Sequence, residues 1–195
     1  MEENLEWEPI KTEHIVRDKW IDFRRVRYRM PDGTEFGPFY NYSRSSYVVI
    51  LASDTEGNYL CVRQYRHGIG QVTNEFPAGA IERSSAAKSD SAAWDDTAKE
   101  DTLAAAKREL QEETGYISDE WRHLITIPSN ATMADNYAYI FIAKNCRRVS
   151  SLNLDDTEFL NVRKYTAQEI EDLIAGGQFQ QAIHVMAWYM AKSGK

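Results

Sequence analysis

The chain has 195 residues, 43% of them hydrophobic and 27% charged, with a formal net charge of −7. That length supports one well-buried core rather than two full domains, and the negative charge opposes non-specific attraction to nucleic acid or an anionic membrane surface. There is no apolar run of about 18 residues, the acidic start "MEENLEWEPI" has no leader-like apolar stretch, and Cys61 and Cys146 match no zinc spacing. A soluble cytosolic protein with reduced thiols, and no nucleic-acid or membrane partner, is expected.

In chain order, aromatic and β-branched residues from Lys19 to Tyr42 flank Pro31-Asp32-Gly33 and predict an antiparallel hairpin. Residues 45–53 and 59–66 form apolar runs around the turn "DTEGN", a second hairpin, and "NEFPAGAIE" (74–82) reads as a strand ending in a tight loop. Residues 83–99 are rich in Ser and Ala, carry the single large apolar residue Trp94, and look inserted. A helix is predicted from about Thr97 to Thr114, with Gly115 as its C-terminal cap. Strands follow at 121–128 and 137–145 around the polar loop "SNATMAD", then a strand-like "TEFLNVRKY". Two helices close the chain, the first with Thr166 and Glu169 at capping-box spacing, the second with Phe179, Ile183, Met186 and Met190 on one face. This order predicts an α/β class with a mixed sheet between helices, and an N-terminal β sub-domain over 1–44 ahead of a main domain over 45–195.

The stretch "RELQEETGY" (108–116) admits two readings, a solvated helix end or a metal site. At roughly 100° per residue, Glu113 lies about 40° and Glu112 about 300° from Glu109, while Leu103, Ala106 and Leu110 occupy the stripe at about 60–120°. The acidic face therefore lies beside the core stripe, where a cleft can form, rather than opposite it. Like charges at these spacings repel. Oxygen donors without His or Cys suit Mg²⁺ or Mn²⁺ and not zinc. His67, His123 and His184 have no partner at triad or metal spacing and read as structural or surface residues.

"EDTLAAAKRELQEETGY" resembles the Nudix hydrolase signature: Glu100, seven residues, then Arg108, Glu109, Leu110, Glu112, Glu113 and Gly115. Gly79 matches the opening glycine, although twenty residues rather than the family's five separate it from Glu100. With "VRQYR" (62–66), "EFPAG" (75–79) and "EETGY" (112–116), the chain is similar to the ADP-ribose pyrophosphatase branch from about residue 15 to 190. The resemblance implies an α/β/α sandwich, with the N-terminal hairpin packing in a homodimer. It further implies Mg²⁺ (or Mn²⁺) on the Ala78 carbonyl, Glu109, Glu112 and Glu113, and hydrolysis of ADP-ribose to AMP and ribose 5-phosphate. Another nucleotide substrate, or a sensor without hydrolysis, stays open. Arg63 and Arg66 suit phosphate oxygens; Glu75, Arg25 and Trp20 are further substrate-binding candidates, Trp20 by stacking on a base. Asp135, the only acid of the loop 129–135, is the candidate base.

Overall fold

The computed structural model of the chain describes residues 4–82, 100–154 and 159–194. The segment 83–99, for which the sequence predicts a mobile lid or surface loop carrying Trp94, lies outside the described residues.

Strands β1 (Glu8–Arg17), β2 (Asp22–Arg29) and β3 (Glu35–Ser43) form an antiparallel sheet in that order. The β2–β3 hairpin turns at the Pro-Asp-Gly tripeptide, where Gly33 takes φ 86°. β1 was not among the expected strands. Nine of its ten residues are exposed, so it has no apolar period to read. Its ladder to β2 is reinforced by Arg25–Glu13 (2.8 Å) and Arg29–Glu8 (3.0 Å) ion pairs.

The second sheet contains β4 (Tyr47–Asp54), β5 (Tyr59–Arg66), β6 (Gln71–Glu75), β7 (Ala78–Ala80), β8 (Tyr116–Ile117), β9 (Glu120–Pro128), β10 (Tyr137–Arg148) and β11 (Leu160–Tyr165). Its central order is β11-β5-β4-β10-β8, with β6 on β5, β7 on β4 and β9 on β10. β4 and β10 run parallel and the other pairs antiparallel, so the sheet is mixed. β4 is buried on both faces, and alternate residues serve two cores. Val48 and Ile50 meet Ala105, Ala106 and Leu110 of α1 (Thr102–Thr114). Val49 and Leu51 meet Ile170 of α2 (Ala167–Ala175) and Trp188 of α3 (Ala182–Lys192). The result is the expected α/β/α sandwich. The strand read over 74–82 divides at Pro77, whose missing N–H interrupts the ladder while its carbonyl accepts from Ile50 N–H.

α1 begins at Thr102, later than the expected Thr97, because Asp101 caps it by accepting from the Leu103 and Ala104 N–H groups, each at 3.0 Å. It ends at Gly115, which takes φ 76° and donates to the Gln111 carbonyl. Glu100 N–H donates to the Glu82 carbonyl (3.0 Å), and Glu82 N–H returns a bond to the Glu100 carboxylate (3.3 Å). The residues on either side of 83–99 are thus joined directly. Cys61 and Cys146 are free and buried, and burial pushes the Cys146 thiol up to about 11 and that of Cys61 higher still. No helix among the described residues is long and apolar enough to cross a membrane.

Candidate active site

Two of the three glutamates on the acidic face of α1 are buried, Glu109 at 6% exposure and Glu113 at 2%, which a solvated helix end does not require. Glu113 accepts a hydrogen bond from Ala78 N–H at 2.9 Å. The Glu109 carboxylate packs on Gly79 so closely that a Cβ there would overlap its carbon and both oxygens. Arg108 closes the cluster from outside, donating through Nη1 to Glu109 (2.8 Å) and Glu112 (2.9 Å) and through Nη2 to Glu100 (3.1 Å) and the Ala80 carbonyl (3.0 Å). Burial opposes the charge of Arg108, but these carboxylates outweigh it and raise its proton affinity. The guanidinium thereby ties the helix to the β7 loop.

Ala78, Gly79 and Ala80 also form one wall of a cleft of about 460 Å³. Lys19, Arg44 and Arg66 line it and, among the described residues, no carboxylate does, so it favours an anion. Trp20 stands at the cleft 63% exposed, with the Lys19 ammonium 4.6 Å above its ring. Tyr42 and Tyr47 add further ring surface. Asn136 donates to the Ser45 carbonyl at 3.1 Å, while its buried Oδ1 has no partner among the described residues.

Arg66 is held by Glu75 in a two-point pair, Nε to Oε1 at 2.8 Å and Nη2 to Oε2. Glu75 is fully buried and also receives Gln181 at 3.4 Å. Removing the guanidinium strands a buried charge. Arg66→Ala is therefore expected to lose about 3–5 kcal/mol of stability in urea unfolding.

His184 also lines the cleft, 3% exposed, and accepts from Phe76 N–H at 3.2 Å through Nδ1. Burial, assisted by the charge of Arg66, lowers it from 6.5 to about 3. The unfolded chain then takes up this proton first, so the contribution to stability is complete above 6.5 and is lost as pH falls toward 3. The urea midpoint should decline over that window, and decline less in His184→Gln.

The other candidates fall elsewhere. Arg63 is exposed on β5, three residues from Arg66 and hence on the other side of the strand, and does not line the cleft. Arg25 lines a separate hollow on the first sheet with Lys11 and Arg27. The Asp135 carboxylate is taken by Arg24 Nη2 (3.0 Å) and by the Ser43 hydroxyl, joining the loop 129–136 to the first sheet. Lys19, Arg44, Asn136 and His184 were not read as site residues. The available signal for Arg44 was its place in the polar-aromatic run Tyr42-Ser43-Arg44 just ahead of the first core strand.

A profile of the NUDIX domain matches residues 42–189. The chain belongs to the Nudix family and is an enzyme of its pyrophosphohydrolase class. It is 26% identical over 167 residues to the methanol dehydrogenase activator of Bacillus methanolicus, covering 85% of this chain and 81% of that protein. It is 25% identical over 180 residues to the ADP-ribose pyrophosphatase of Bacillus subtilis, covering 92% and 89%. A crystal structure of an ADP compounds hydrolase superposes with a TM-score of 0.77 at 18% identity, over 98% of this chain and 96% of that one, a likeness of fold.

The acidic cluster fits a hard divalent ion. All its donors are oxygen, and two carboxylates are held against the Ala78–Gly79 backbone. Among the described residues no three Asp, Glu, His or Cys side chains form a ready-made cage. Mg²⁺ does not need one, since it is commonly held by one or two carboxylates together with water and substrate phosphates.

Proposed function

We propose that this Nudix enzyme hydrolyses the diphosphate linkage of a nucleoside diphosphate joined to another moiety, ADP-ribose being the first candidate, with AMP and ribose 5-phosphate as products. The observation that carries the reading is the buried pair Glu109 and Glu113, packed on the Ala78–Gly79 backbone beside a cleft lined by three cations. The name of the relative in Bacillus subtilis supports the choice of first substrate. Glu109, Glu112, Glu113 and the Ala78 carbonyl hold Mg²⁺ or Mn²⁺. The ion, when bound, neutralises the diphosphate and makes water a better nucleophile.

The chain's own groups orient the rest. Lys19 and Arg44 attract the diphosphate, Arg66 is braced by Glu75, and Trp20 offers a flat face to the base. Water adds its oxygen to one phosphorus, the bridging P–O bond breaks, and the bridging oxygen leaves with the other phosphate. Glu112, the least buried of the three glutamates, is assigned the water's proton. Asp135, engaged by Arg24 and Ser43, is assigned to holding its loop, so Asp135→Asn should change turnover by less than about fivefold.

The first sheet, proposed as a sub-domain over 1–44, carries Trp7, Phe36 and Phe39 with exposures of 46%, 61% and 38%, grouped with Tyr28. A patch of this kind suits a homodimer interface, and Phe36→Asp should shift the mass in light scattering from dimer to monomer. The two buried free thiols suit a reducing, cytosolic setting. The deciding assay is product analysis on a panel of nucleoside diphosphate sugars, dinucleoside polyphosphates and nucleoside triphosphates, with Mg²⁺ or Mn²⁺. Binding of ADP-ribose without turnover of anything in the panel would sink the catalytic reading.

A further inference from the structure

His184 is more than a core imidazole. Its Nδ1 accepts from Phe76 N–H, so the neutral ring carries its proton on Nε2. That atom has no hydrogen-bond partner among the described residues. Nε2–H is thus the ring's remaining donor, and His184 lines the cleft. A residue only 3% exposed thus borders the cleft, its tautomer set by a backbone donor.

We propose that His184 is a substrate-binding residue whose Nε2–H donates to a phosphoryl oxygen of the ligand in the cleft. Charge selects that acceptor: Lys19, Arg44 and Arg66 line the same cleft and, among the described residues, no carboxylate does. Glu75 already balances Arg66, so a neutral donor at this end adds a directed hydrogen bond without adding charge. Burial and the neighbouring Arg66 keep the ring uncharged, which preserves Nδ1 as the acceptor for Phe76 and Nε2–H as the donor. The identity of the ligand rests on the proposed diphosphate hydrolysis; the orientation of the ring does not.

The test is a long-range ¹H–¹⁵N spectrum of the whole protein titrated with AMP, inorganic pyrophosphate and adenosine. AMP and pyrophosphate should move the His184 Nε2–H resonance downfield, and adenosine should leave it in place. In steady-state kinetics with ADP-ribose, His184→Phe should raise KM about ten- to a hundredfold, the scale of one hydrogen bond to a charged acceptor, and alter kcat by less than about threefold. His184→Gln, which can accept from Phe76 and donate to the cleft, should recover most of the loss.

A resonance unmoved by AMP and pyrophosphate, or moved equally by adenosine, overturns the proposal, as does an unchanged KM in a folded His184→Phe. The spectrum of the unmutated protein keeps the test decisive if that variant does not fold. A phosphate-dependent shift without turnover of any nucleoside diphosphate sugar rejects the proposed substrate class and leaves the binding role standing. Turnover with an unmoved resonance does the reverse.

Discussion

Gly79→Ala is expected to fold like the parent and to lose turnover on the order of 10²-fold, the scale of a misplacement of about 1 Å at a reacting centre. The added Cβ overlaps the Glu109 carboxylate, the far end of a flexible side chain, so the glutamate can rotate away with little effect on the backbone. Gly79 does not need the left-handed conformations open to glycine, and alanine should change stability by less than about 1 kcal/mol. Activity and stability should therefore separate. Thermal unfolding and kcat/KM on one preparation check this, and parent-like turnover would mean that the position of Glu109 does not matter.

Glu113→Gln should cost more, on the order of 10³-fold in turnover, because it removes one charge from the proposed ion site, where several kcal/mol of transition-state stabilisation arise. The glutamine oxygen can still accept from Ala78 N–H, so the fold should persist. Without metal the variant should be no less stable than the parent, since Glu109 and Glu113 repel at i, i+4 by a few tenths of a kcal/mol. Calorimetric titration with Mg²⁺ should show weakened binding, and a chelator should reproduce the loss of activity in the parent. Full activity in Glu113→Gln would remove the metal assignment.

The parts legible in the sequence were those governed by local spacing. The wheel placed Glu109 and Glu113 beside the α1 core stripe, and burial of both follows from that position. Gly115 announced the helix end through the left-handed conformation it adopts. β1 was illegible because a strand exposed along nearly its whole length leaves no periodic trace. The cleft was only partly legible because it is assembled from distant segments. His184 reaches Phe76 across 108 positions and Asn136 reaches Ser45 across 91, and no periodicity records such meetings. Arg63 and Arg66 offered one readable clue, since residues three apart on a strand point to opposite sides and only one of the pair was free to face the cleft.

The reciprocal bonds between Glu82 and Glu100 hold the two flanks of the inserted segment against each other. A strand of any length that departs and rejoins at one clasp leaves the spacing of Gly79 and Glu109 untouched, and each doubling changes the closure entropy by only about 0.6 kcal/mol. Deleting 84–98 should spare both fold and turnover, checked by unfolding and product release, and a reporter peptide grafted at the same place should ride on the working protein as a passenger.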